Sequence, residues 1–213
     1  LVRGGGAFGF RVRGLFPTPM AAPYAALKSV APERRAVAVP AVLESVLRFL
    51  AYTECAEALR TGEPGEARDK LLEAIHKDRG IGGFAKPLGA GGLAGLLRYA
   101  SNVPRPDPIL GETHAALVNT DTRERIDEAI AIRNKLHDAG LPPEEKAAAL
   151  AGLVDRLDEL LGALAGLADV HLFVPGALNL RAGLAIGEGC SYRGESPAIV
   201  PVQVVGAFEA GLP

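Results

Sequence analysis

The chain has 213 residues, enough for one large domain or two small ones. Aromatic residues make up only 5% and Trp is absent, so a core must come mostly from Leu, Val, Ile and Ala. A net charge of −2 excludes a protein that tracks nucleic acid through broad positive charge.

Residues 1–16 contain Gly4-Gly5-Gly6, and Phe8, Phe10 and Val12 then alternate with Gly9, Arg11 and Arg13, which is a strand pattern. The glycine run lacks the preceding strand, the following helix and the Lys-Ser/Thr pair of a phosphate loop. Pro17, Pro19, Pro23 and Pro32 each fix φ and remove a donor. Residues 16–35 therefore read as an extended connection with at most a short helix near 23–30. Together, 1–39 form a strand and Pro-rich lead-in.

Pro40 suits a first helical position and starts a helix to about residue 60. Leu43, Val46, Leu47, Leu50 and Ala51 mark its apolar face, and Thr61-Gly62-Glu63-Pro64-Gly65 stops it. A second helix spans 66–76. The glycines of 79–92 predict a loop, 93–101 a short helix, the prolines of 103–108 a break, and 109–118 another helix. Asp121 or Thr122 caps a helix to about residue 138, Gly140 ends it, and Pro142-Pro143 begin the last helix, 143–168. In that helix Leu150, Leu153, Leu157, Leu160, Leu164 and Leu167 recur at heptad a/d spacing, flanked by Val154 and Leu161. The seam is under four heptads long, which favours packing inside a bundle over pairing with another chain.

From His171 the period shortens. Segments 171–175, 178–180, 189–194 and 199–205 read as strands of a three- or four-strand meander, with Pro175 and Pro201 at edges or ends. The expected fold is mainly α: a bundle of about five helices over 40–169 and a small antiparallel β-meander in 170–213, α+β overall.

The residues that suggest chemistry are Arg133, Asn134 and His137. On a helical wheel Arg133 and His137 fall within the apolar arc of Ile126, Ala129, Ile130, Ile132 and Leu136, with Asn134 at its edge. A buried arginine needs partners or water, and residues four apart project side by side. In a structural reading the pair meets carboxylates of a neighbouring helix, with Glu44, Glu54 and Glu57 as candidates, or caps the helix C-terminus. In a functional reading His137 moves a proton while Arg133 holds a phosphate, chemistry suited to attack of an RNA 2′-hydroxyl.

The stretch Arg133-Asn134-Lys135-Leu136-His137, late in a helical bundle, resembles the motif of the HEPN superfamily, over roughly residues 40–168. Members are compact helical bundles; many are metal-independent ribonucleases of toxin–antitoxin and antiphage systems, and they often dimerise. Others have lost catalysis and act as interaction or sensing modules. The resemblance implies Arg133 as the phosphate-holding residue, Asn134 as the polar residue after it, and His137 as the catalytic histidine. Three residues separate Arg133 from His137, where the family usually has four to six. That departure favours a non-catalytic regulatory or interaction domain of a larger bacterial signalling or defence protein. An active metal-independent ribonuclease is the alternative, and a small-molecule sensor the second alternative.

Cys55 and Cys190 form neither a disulfide framework nor a metal spacing, and His76, His114 and His171 are scattered, so no metal or cofactor is expected. Ser191 lies outside any nucleophile-elbow pattern. Reduced thiols, no signal peptide and no apolar run of the ~18 residues needed to span a bilayer imply a cytoplasmic protein without a membrane partner. The implied partners are a second copy through the bundle, other domains of the same protein, and RNA. A start at Leu1 without Met and an end at Gly211-Leu212-Pro213 read as a piece of a longer protein, although a tag remnant or processing explains the start equally well.

Overall fold

A computed structural model describes residues 7–31, 34–79, 88–181 and 184–205. Among them the protein is mainly α, with eight α-helices followed by a three-stranded antiparallel sheet of order β1-β2-β3.

The first correction falls at the N-terminus. Residues expected to form a strand and an extended connection are two helices, α1 (Ala7–Leu15) and α2 (Thr18–Ser29). A strand would place Phe10 and Val12 on one face; here Phe10 is 69% exposed and Val12 is fully buried, as positions two apart on a helix are. Val12 lies one turn from Phe16, and both enter the core with Met20, Ala21, Tyr24 and Leu27. In α2, Pro17 is the N-cap and Pro19 sits in the first turn, where prolines remove no helical bond. Pro23 does interrupt the ladder, but burial of Met20, Tyr24 and Leu27, each about 1.5–3 kcal/mol, outweighs it.

The long helix α3 (Arg35–Thr61) begins five residues before Pro40, which lies inside it, buried. Its stripe of Val39, Leu43, Val46, Leu47 and Leu50 is covered by α2, by α5 (Ala90–Ser101) and by α8 (Pro143–Ala163). α3 is long and apolar enough to cross a membrane by length and composition. In the fold it is the central helix of the core, and it carries the buried carboxylates Glu54 and Glu57.

The remaining helices are α4 (Glu66–Arg79), α6 (Glu112–Val118) and α7 (Thr120–Leu136). The expected loop over 79–92 falls largely outside the described residues; 90–92 already belong to α5. The cap of α7 is neither Asp121 nor Thr122 but Asn119, whose side chain accepts the Asp121 N–H at 2.8 Å. Both residues lie within the first turn, two and three places too late to serve as the cap. α8 packs on α7, and its leucine seam enters the core. Leu153, Leu157, Leu160, Leu161 and Leu164 are buried, and the seam continues through a 3-10 turn (Ala165–Asp169) that buries Leu167.

The meander comprises β1 (Phe173–Arg181), β2 (Leu184–Ser191) and β3 (Ala198–Val205). The two expected strands 171–175 and 178–180 are one strand, with a register shift between Pro175 and Leu178. Pro175 and Pro201 lie in the outer strands, as the loss of a donor requires. The tip of the Phe173 ring lies over Gly189, 1.9 Å from where a Cβ would be, so only glycine fits there. One end of the sheet joins the helices. Thr18 N–H donates to the Tyr192 carbonyl at 3.0 Å, and Gly194 N–H to the Phe16 carbonyl at 2.8 Å. The Arg193 guanidinium donates to the Leu15 carbonyl at 3.1 Å and the Ala168 carbonyl at 2.7 Å. Gly194 turns the chain here at φ 76°, a conformation that disfavours a side chain.

Candidate functional site

The structure separates the environments of Arg133 and His137. Arg133 stands in the last turns of α7, partly buried. Its guanidinium pairs with Glu44 of α3 and donates to Asn134 Oδ1 at 3.2 Å. Of the three carboxylates considered as partners, Glu44 is the one Arg133 meets. Asn134 is exposed. His137 does not continue the buried arc. The helix ends at Leu136, and His137 is its C-cap and exposed, with its N–H bonded to the Asn134 carbonyl at 3.1 Å. The wheel places it inward only if the helix continues, and it does not. Among the described residues the His137 ring forms no hydrogen bond or ion pair, with Arg133 or with any other group.

Glu54 and Glu57 instead build a second constellation. Both lie on α3 where its apolar stripe runs on past Leu50, and they are buried. Arg105, from the proline-rich connection between α5 and α6, extends a fully buried side chain between them. Its terminal nitrogens pair with Glu54 and donate to the Ala100 carbonyl at 3.1 Å, while Nε lies 3.3 Å from Glu57 Oε2. That last approach is within ion-pair distance but too poorly aligned for a hydrogen bond. The other Glu57 oxygen accepts the Ile109 N–H, which fixes the connection a second time.

His114 on α6 closes the cluster. Its Nδ1 lies 2.9 Å from Glu54 Oε2 and 2.8 Å from an Arg105 terminal nitrogen. Guanidinium only donates, so Nδ1 either accepts from Arg105 or carries the proton and donates to Glu54. Two carboxylates, a guanidinium and an imidazole thus gather at one point, where Arg105 offsets the buried charge of Glu54 and Glu57, although Glu54 Oε1, Glu57 Oε2 and Arg105 Nε make no hydrogen bond among the described residues. With its side chain fully enclosed, Arg105 cannot reach a phosphate in solution, so this arrangement fastens the connection to α3. Cys55, next to Glu54, has its thiol pushed up to about 11 by burial and then by the Glu54 charge, with Arg105 opposing. A thiol held protonated is a poor nucleophile.

Sequence reasoning missed this cluster. Its signal was present: Glu54 and Glu57 continue the spacing of the apolar face of α3, where a carboxylate demands a buried cation. Among the described residues no group of three or more His, Cys, Asp and Glu side chains could hold a metal ion. No protein family, no curated protein and no solved structure matches the chain.

Proposed function

We propose that this chain is a HEPN-like interaction or regulatory domain, without catalysis, of a larger bacterial signalling or defence protein. The observation that carries the reading is the separation of the motif. Arg133 is held by Glu44 of its own bundle, whereas His137 stands exposed beyond the end of α7. A ribonuclease site needs both groups converging on one phosphate, because proton transfer and charge stabilisation act together on the same atoms. The short Arg133–His137 spacing supports the same conclusion. Cys55 and Cys190 are free thiols, which supports a reducing compartment such as the cytoplasm.

The test is incubation of the chain with single-stranded RNA in EDTA, beside Arg133→Ala and His137→Ala. The expected outcome is intact RNA in all three samples. Cleavage by the wild type that both substitutions abolish would replace this reading with the metal-independent ribonuclease.

A further inference from the structure

We infer that the cluster of Glu54, Glu57, Arg105 and His114 is a proton-operated latch: charged His114 holds the connection 102–111 on α3, and loss of its proton releases that connection. The charge count motivates it. Two carboxylates against one guanidinium leave one negative charge uncompensated in the interior, and a buried charge without a counter-charge is costly. A proton on His114 brings the sum to zero. Cys55, beside Glu54, adds no charge near neutral pH, because its thiol is pushed up to about 11.

Geometry gives the proton a place and a route. The side chains of Glu54 and Arg105 are fully enclosed and that of Glu57 is 2% exposed, whereas that of His114 is 15% exposed. His114 is therefore the member through which the cluster exchanges a proton with water, and imidazole is the side chain whose charge ordinarily changes near neutral pH. When charged, its Nδ1–H donates to Glu54 Oε2, 2.9 Å away, and Nε2, without a partner among the described residues, carries the second proton. Arg105, 2.8 Å from Nδ1, opposes that charge, but two carboxylates outweigh one guanidinium. The elements packed against α6 bring no further charge to the ring. Arg98 of α5 pairs with Asp127 of α7, Arg125 and Glu128 of α7 pair with α8, and Arg123 of α7 donates to the Leu117 carbonyl, Ser101 and Asn102. Asp121 and Glu124 of α7, Asp169 of the 3-10 turn, Asp107 of the connection and Glu112 of α6 itself are exposed. Among the described residues, Glu54 and Arg105 are the charged groups within hydrogen-bond distance of the imidazole.

The latch acts through two holds of the connection on α3. Arg105 pairs with Glu54 and lies against Glu57, and the Ile109 N–H donates to Glu57. Pro104, Pro106 and Pro108 supply no N–H to replace these bonds. With His114 neutral, the excess negative charge is relieved when the connection lifts and water reaches the carboxylates. The closed latch thus binds the His114 proton more tightly than the open one, so it is secure at lower pH and loosens as pH rises through the neutral range.

The experiment follows the intact chain by NMR between pH 6.0 and 8.5. It reads the protonation of the His114 ring from its nitrogen shifts, and the protection of the Ile109 amide corrected for the intrinsic pH dependence of exchange. The ring should carry two protons at pH 6.0 and one at pH 8.5. Ile109 protection should fall about tenfold in step with it, while the Leu157 amide in α8 stays far better protected than Ile109 throughout. His114→Gln should leave Ile109 weakly protected at both ends of the range. Glu54→Gln removes the excess negative charge, so Ile109 should be better protected at pH 8.5 than in wild type, with no pH dependence. A ring already neutral at pH 6.0, Ile109 protection that ignores pH, a pH dependence that survives either substitution, or Leu157 protection that falls to the level of Ile109 each overturn the latch. The wild-type measurements decide even where a variant does not fold.

Discussion

At the scale of single residues, two arginines with carboxylate partners have unequal weight. Arg105 is enclosed between Glu54, Glu57 and His114, and removing it leaves two buried carboxylates uncompensated. Arg105→Ala should therefore cost about 3–5 kcal/mol in urea unfolding. Arg133 and Glu44 keep 22% and 26% of their side chains in water, and Arg133→Ala should cost about 1 kcal/mol or less. Equal losses would show that the buried cluster does not fasten the connection to α3.

Cys55 gives a second test at this scale. Its thiol has an ordinary value of 9.0 and is pushed up to about 11 in the fold. Above pH 9 the unfolded chain loses the proton that the folded chain retains. The native state then binds more protons, and stability falls as pH rises from about 9 through about 11. Cys55→Ala should flatten that decline in pH-dependent unfolding. At pH 8 the native chain should expose Cys55 to a thiol reagent only after denaturant is added.

Legibility also differed between residues. Arg133 advertised itself because a cation sat within an apolar arc, and its partner Glu44 was among the candidates named. Glu54 and Glu57 were noticed only as acids near that arginine. Their own place in the stripe of α3 pointed to a separate cation, but Arg105 stands among prolines, where no periodicity shows which way a side chain faces. His137 was misplaced because a wheel assumes a helix that continues.

At the scale of elements, the parts that could be read were those whose period is long and strong. The α8 seam and the strands of the meander come from repeats of 3.5 and 2 sustained over several residues. Leu157 is buried at the centre of that seam and Val154 is half-buried beside it. Leu157→Ala should cost about 2–5 kcal/mol and Val154→Ala distinctly less, measured as a shift in the denaturation midpoint. Similar losses would mean that the seam does not face the core.

α1 and α2 were illegible for the opposite reason. Glycines and prolines outweigh helical propensity locally, and the helices exist because Val12, Phe16, Met20, Tyr24 and Leu27 find the core. Tertiary burial decides such segments, and no local pattern carries that information. The early start of α3 has the same cause: Val39 and Pro40 are buried, so the helix extends past the proline that looked like its beginning.

At the scale of the whole molecule, N-terminal helices, bundle and sheet are joined by a few strong points. The core cluster runs without interruption from Val12 of α1 through α3 to Leu167 and Ala168 of the 3-10 turn. The meander is held differently, through the backbone contacts around Tyr192 and Gly194 and the two carbonyls gripped by Arg193.

Arg193 has a kinetic consequence. Its guanidinium ties the Ser191–Ala198 end of the ladder to the helices, while the Leu184–Val205 end lies six residue pairs or more along the strands. Amide hydrogens along β2 should exchange with deuterium in order of distance from that clamp, slowest beside Ser191 and fastest beside Leu184. Arg193→Ala should shallow the gradient, because the backbone bonds at Tyr192 and Gly194 remain, and leave exchange in α3 unchanged. A sheet whose amides all exchange at the rate of α3 would mean that it opens only when the whole chain unfolds.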